Sequence, residues 1–271
     1  MKKRALCALA SLVLCVSLTG TAYAAESGVS FEVNGTPIVT EFTSKVENEM
    51  TYVSYWPVVQ ALYPEATAVW NNGQAEVTAP GLTLQMKPGA KYIVANGRYL
   101  HVPTGVKIEN GTVLVPVRTL CQALGAQVAW NGETQTIVIT SGSGPIASGD
   151  SFYNQEDLYW LSRIIYCESG NQSLEGKIAV GNVVLNRVAS TQFPNTVYNV
   201  IFQRNQFTPA SNGRIQRTPP ADCVVAAKLA MEGVNTAGNA LYFINPSISS
   251  SRWFSRNCTY VATIGAHAFF A

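Results

Sequence analysis

The chain has 271 residues, of which 47% are hydrophobic and only 13% charged, with a formal charge of +2. That length suffices for two ordinary domains, and the composition excludes a disordered chain. No basic stripe interleaves with aromatic residues, which argues against a nucleic-acid partner.

The chain begins Met1-Lys-Lys-Arg4, runs through apolar residues to Leu18 and reaches Ala22-Tyr-Ala24. A basic start, a short apolar stretch and small residues at a cleavage point read as a signal peptide over residues 1–24. Its apolar run is too short for a membrane anchor and holds Ser and Thr, and no later segment is long and apolar enough to span a bilayer. The expectation is a secreted protein. Cleavage removes three of the 18 basic residues and no acidic one, taking the charge from +2 to −1. It also removes Cys7 and Cys15, leaving Cys121, Cys167, Cys223 and Cys258. Outside the cytosol a disulfide is permitted among them, its pairing open.

The next segment repeats itself. Tyr52-Val-Ser54, Gln60-Ala-Leu62 and Ala68-Val-Trp-Asn71 are answered by Val113-Leu-Val115, Gln122-Ala-Leu124 and Val128-Ala-Trp-Asn131. An Asn-Gly pair precedes each copy, at Asn34-Gly35 and Asn96-Gly97, and supplies the turn that joins antiparallel strands. Each unit is predicted as a hairpin, a short helix and further strands that bury a face against the other copy. His101 reads as a solvated or packed strand residue, since metal sites want clustered ligands. Residues 142–153 are small and polar around Ser141-Gly-Ser-Gly-Pro-Ile-Ala-Ser-Gly-Asp150, which reads as a flexible linker.

Beyond it, Glu156 to Cys167 is predicted helical, followed by a break at Ser169-Gly-Asn-Gln172 and a second helix over Ser173 to Val188. A further helix is predicted over Asp222 to Glu232, and strands over Ala240–Ile244 and Tyr260–Ile264, giving an α+β domain at 154–271. Leu161, Ile164 and Ile165 recur at helical spacing, and Glu168 borders that apolar stripe. A carboxylate held against apolar packing has its charged form disfavoured, as a general acid requires. The bland reading is an ordinary solvated helix glutamate. Glu175 is a second carboxylate, or a first-turn residue favoured by the helix dipole. Glu232 reads as a helix residue only. Gln206, Phe207, Tyr242 and Asn245 are candidate ligand-binding residues or, for the two aromatics, fill the core. His267 either lines a groove or satisfies a buried hydrogen bond. Cys167 reads as a small buried residue.

Tyr166-Cys-Glu168, Glu175-Gly176, Val183-Val-Leu-Asn-Arg187, Phe193-Pro-Asn-Thr-Val-Tyr198, Gln206-Phe207 and Thr263-Ile-Gly-Ala-His-Ala-Phe269 together resemble the SleB/CwlJ cell wall hydrolase family. The Val-Pro-Val-Arg118, Ala-Leu-Gly125 and Val-Ala-Trp-Asn131 strings over residues 28–141 resemble the copper amine oxidase N-terminal-like stalk domain, a wall-facing spacer or binding module. The first resemblance implies a lysozyme-like, mainly helical catalytic domain with short strands, separate from the β-rich stalk. It implies cleavage of peptidoglycan glycan strands, notably of spore cortex, by a lytic transglycosylase that uses no cofactor. The position matching the catalytic glutamate is Glu168, and Glu175 and His267 match further family positions. The stalk is then a candidate for attachment to wall or spore coat. Two positions depart from the family: Gln172, often Glu, and Ala266, often Asn.

Two other classes compete. An amidase or peptidase acting on wall peptides needs either a zinc site, for which His101 and His267 lie in different domains, or a Cys/His pair. A non-catalytic wall-binding module is supported by the two departures.

Overall fold

The computed structural model describes residues 29–38, 44–248 and 253–271. The signal-peptide reading of residues 1–24 lies outside them.

The repeat is visible as a local two-fold. Strand Met50–Ser54 pairs antiparallel with Thr112–Pro116 at the centre of a four-stranded sheet, and Val53 opposes Val115 as Leu114 opposes Ser54. Swapping the two copies returns Val53–Val115 to itself and exchanges Ser54–Leu114 with Tyr52–Pro116. Each central strand runs into an eight-residue helix, α1 (Tyr55–Leu62) or α2 (Val117–Leu124). A hairpin follows each helix: Thr67–Asn71 with Gln74–Ala79, and Gln127–Asn131 with Thr136–Thr140. The first hairpin continues through Leu82–Met86, Tyr92–Ala95 and Arg98–His101 into a five-stranded antiparallel sheet. The second takes Ser30–Val33 as a parallel neighbour. Both predicted Asn-Gly turns are present, with φ of 50° and 76° at Asn34-Gly35 and 49° and 78° at Asn96-Gly97, as a type I′ hairpin turn requires. His101 is half-buried at the end of its strand, and burial lowers its pKa.

The segment read as a flexible tether is held instead. Asn96 Nδ2 donates to the carbonyl of Ile146 at 2.8 Å, and Gly149 N donates to the Asn96 carbonyl at 2.8 Å. Glycine composition here reflects close backbone packing: a Cβ on Gly149 would lie 2.7 Å from the Gly97 carbonyl oxygen. A single turn, α3 (Gly149–Phe152), then leads into the second half.

There α4 (Gln155–Ser169), α5 (Leu174–Ala189) and α8 (Ala221–Met231) pack on one another, joined by the short helices α6 (Val197–Ile201) and α7 (Thr208–Ser211). Asn154 starts α4, its Oδ1 accepting from the backbone N–H of Glu156 and Asp157, and Ser173 Oγ starts α5. Gly181 lets the three helices meet, since a Cβ there would lie 3.1 Å from Ile165 and 3.3 Å from Ala230. Leu161, Ile164 and Ile165 are fully buried, as their spacing predicts. Beyond α9 (Trp253–Asn257), His267–Phe270 forms the centre of a three-stranded antiparallel sheet between Tyr242–Ile244 and Tyr260–Ile264. The molecule is therefore α+β, with a β-rich first half and a mainly helical second half. Among the described residues, no helix is long and apolar enough to cross a membrane.

The two halves are docked through Arg98 and Glu232. Arg98 Nε and Nη2 donate to the two Glu232 oxygens at 2.9 and 2.7 Å, and the Tyr153 hydroxyl donates to Glu232 Oε1 at 2.7 Å. Glu232 is thus more than the helix residue expected, because its side chain is 4% exposed and both its oxygens are held across the interface. Lys228 donates to the Gly97 carbonyl at 3.3 Å, Lys91 pairs with Glu175, and Tyr92 and Tyr99 pack against the helical core.

Candidate active site

Glu168 lies in the last turn of α4, beside the buried stripe of Leu161, Ile164 and Ile165. The turn holds because Ser169, fully buried, donates its hydroxyl to the Ile165 carbonyl at 2.9 Å. Glu168 is half-buried and has no hydrogen-bond or ion-pair partner among the described residues. Burial raises its pKa above the ordinary carboxylate value, and the positive charge of Arg214 offsets part of that rise. The carbonyl end of a helix carries partial negative charge, which also disfavours an anion there.

A cleft of about 410 Å³ opens at this point. One wall is Glu168, Asn171 and Gln172, and the other includes Phe243, Asn245 and His267 from the small sheet. The Asn186-Arg187 pair of α5 sets the second wall. Asn186 Nδ2 donates to the Ala240 carbonyl at 3.0 Å and Arg187 Nε to the Leu241 carbonyl at 2.7 Å, anchoring the strand that carries Phe243. Burial among aromatic rings pushes the Arg187 guanidinium down to about 10.

Of the residues predicted for the site, the structure brings Glu168, Asn245 and His267 together. Asn245 Oδ1 accepts from Ser247 N at 3.0 Å, leaving its amide donors outside that bond. His267 is 7% exposed, its ring edge-on to Phe243 at 5.2 Å, and its Nδ1 has no hydrogen-bond partner among the described residues. Burial lowers its pKa, so the imidazole is neutral at neutral pH.

Glu175, Gln206 and Phe207 do not line the cleft. Glu175 pairs with Lys91 across the domain interface, which lowers its pKa. Gln206 is exposed, and Phe207 belongs to the helical core. Tyr242 is half-buried and packs on Trp253 and Phe254.

Sequence reasoning missed Asn171 and Phe243. The first follows the acid in the same glycine break, a local signal; the second needed the strand pairing with Phe269. The two departing positions touch, because Gln172 Oε1 accepts from the Ala266 backbone N–H at 3.0 Å. A glutamate would accept the same bond, so the glutamine keeps that geometry and removes one charge from the cleft.

All four described cysteines are free thiols. Burial raises Cys167 and pushes Cys223 up to about 11, against the thiolate that a cysteine nucleophile needs. No group of three His, Cys, Asp or Glu able to hold a metal ion occurs among the described residues.

Residues 171–270 match the Cell Wall Hydrolase family, beginning three residues past Glu168, and residues 32–139 match the Copper amine oxidase N-terminal domain. A spore cortex-lytic enzyme of Bacillus cereus is 38% identical over 117 residues, 43% of this chain and 45% of that protein. That of Oceanobacillus iheyensis is 34% identical over 129 residues, 48% of this chain and 46% of that protein. The chain thus spans less than half the length of these relatives. Among solved structures, the catalytic domain of the germination-specific lytic transglycosylase SleB from Bacillus anthracis is 36% identical. It covers 46% of this chain and 100% of that domain, with a TM-score of 0.42.

Proposed function

We propose, from a C-terminal half that belongs to the cell wall hydrolase family behind a copper amine oxidase N-terminal-like domain, that this chain cleaves peptidoglycan glycan strands as a lytic transglycosylase. The observation that carries the reading is Glu168, half-buried, unpaired and raised in pKa on the wall of the cleft.

Protonated Glu168 gives its proton to the glycosidic oxygen as the bond from that oxygen to the anomeric carbon breaks. The resulting carboxylate then accepts the proton of the sugar's own 6-hydroxyl, whose oxygen bonds to the anomeric carbon. The product is a 1,6-anhydro ring, no water is consumed and the acid is regenerated. Ordinary hydrolysis uses a second carboxylate about 5–9.5 Å away. Among the described residues, Glu168 is the one acid lining the cleft, which supports transglycosylation. Asn245 and His267 supply polar atoms beside the acid, and Phe243 an apolar surface for a sugar ring.

The relatives carry the name of spore cortex, and cortex is the substrate proposed here. The setting that follows is export to the wall or spore envelope, with the stalk attached to that polymer. Residues 154–271 form the catalytic unit and 28–141 the stalk.

The test is mass spectrometry of the products released from purified cortex and vegetative sacculi. Anhydromuramic ends, one water lighter than reducing ends, support the proposal. Reducing ends mean hydrolysis. Released peptides with intact glycans mean an amidase or peptidase, and binding without any soluble product means a non-catalytic module.

A further inference from the structure

The stalk holds a second cleft, of about 340 Å³, between the start of Met50–Ser54, the first turn of α2 and the strand Gln127–Asn131. Val117, Val128 and Ile137 line its apolar part, and Trp130, Arg118 and Glu49 its rim. Trp130 is 55% exposed, so a large ring face is left in water at the mouth of a cavity.

Arg118 is exposed and has no carboxylate within ion-pair distance among the described residues. Of the other described cations in the same half, Lys45, Lys91, Arg98 and Lys107 are paired and the exposed Lys87 is in no ion pair. The fold does not require a cation at this position, because its counterpart in the first repeat is Trp56, which packs on the stalk core. The strands that dock on the helical half belong to the five-stranded sheet, whereas this cleft lies on the other two sheets. Docking therefore leaves it open.

We propose that this cleft binds a carboxylate-bearing glycan strand, the polymer that the catalytic cleft cuts. The identity of that polymer rests on the function proposed above. The indole face of Trp130 packs on the C–H face of a pyranose ring. The Arg118 guanidinium takes a carboxylate in a two-pronged hydrogen bond, and Glu49 accepts from sugar hydroxyls or amides. Holding the strand at a second site raises its effective concentration at the first.

The test uses the mature chain carrying Glu168→Gln, so that the probe is not cut, labelled with nitrogen-15 and observed at its tryptophan indole N–H resonances. The Trp130 resonance is assigned with Trp130→Phe. The probes are soluble glycan fragments released from sacculi by sonication and a chitin oligosaccharide of similar length, which has no carboxylate. The Trp130 resonance shifts saturably with both, while that of Trp70, its 57%-exposed counterpart in the first repeat, stays fixed. Arg118→Gln weakens binding of the sacculus fragments by at least about tenfold and leaves the chitin oligosaccharide unchanged. An unmoved Trp130 resonance, equal shifts at Trp70 and Trp130, or indifference to Arg118→Gln overturns the proposal. Muropeptide release by the wild-type chain is measured alongside. Release without a Trp130 shift sinks the stalk site alone; a Trp130 shift without release sinks the catalytic reading and leaves the site standing.

Discussion

Glu168 and Glu232 both end a helix of the same helical core, and the structure treats them oppositely. Glu232, at the end of α8, is held by two guanidinium nitrogens of Arg98 and by the Tyr153 hydroxyl. Glu168, near the end of α4, is held by nothing among the described residues and feels Arg214 only through its charge. A buried carboxylate with partners fixes architecture. One buried without partners favours its neutral form and keeps a proton to give. The domain interface and the cleft thus use one residue type for two purposes, and pairing decides which.

The largest effect that can break this comparison is at Glu168. Replacing it with Gln removes the proton donor while keeping the shape, and muropeptide release falls by about 10²–10⁴-fold. The same substitution stabilises the fold. Because its folded pKa is raised above the ordinary 4.5, Glu168 is accommodated fully below that value and destabilises as pH rises through the folded pKa. The Gln variant therefore has a higher denaturation midpoint than wild type at neutral pH, and the gap closes near pH 4. An unchanged midpoint at neutral pH would mean that burial does not disfavour the charge. Next in size is Glu232→Ala, which strands the Arg98 guanidinium at a buried interface and destabilises by about 3–5 kcal/mol. Urea unfolding reads it, and a midpoint near wild type would remove Glu232 from the architecture.

The repeat is legible because its signals are local: an Asn-Gly turn, a β-rich string, a short helix and a Trp-Asn turn recur within one unit. The helices α4 and α5 are legible to within about two residues because Asn154 and Ser173 mark their starts. Glu168 is legible for the same reason, since the apolar stripe it borders lies in its own helix. Docking is not, because Arg98 and Glu232 are 134 positions apart and neither is marked by its neighbours. The linker misleads because glycine and serine serve equally a chain that moves freely and a backbone that packs closely. Gly142 shows the second case, where a Cβ would lie 2.0 Å from the Gly125 carbonyl oxygen. Gln206 and Phe207 are adjacent in the string that carries the family resemblance, yet one is exposed and the other core. His267 reaches the cleft through a strand that the alternating tail did not reveal.

A smaller effect sharpens the electrostatic side. The Cys167 thiol donates to the Arg214 carbonyl at 3.5 Å, which places Arg214 beside the end of α4. Its positive charge holds the Glu168 pKa lower than burial alone would set it. The first step needs the protonated acid, so activity falls as pH rises through that pKa. Arg214→Gln therefore moves the alkaline limb of the pH–rate profile to higher pH. An unmoved limb would show that solvent screens Arg214 from the acid.

The smallest effect is at Glu175, and it tests whether the interface and the cleft are separate. Lys91 and Glu175 are 47% and 38% exposed, so their ion pair is screened by water and contributes about 0.2–1 kcal/mol. Lys91 lowers the Glu175 pKa, so this contribution is present above the ordinary value and is lost as pH falls through the lowered one. Glu175→Gln then lowers the denaturation midpoint slightly at neutral pH, less so in high salt, and leaves both the rate of muropeptide release and its alkaline limb in place. A variant that stopped release as Glu168→Gln does would give the reaction a second essential carboxylate. Hydrolysis through an acid–base pair would then replace attack by the 6-hydroxyl, and Glu175 would have to leave Lys91 to reach the substrate.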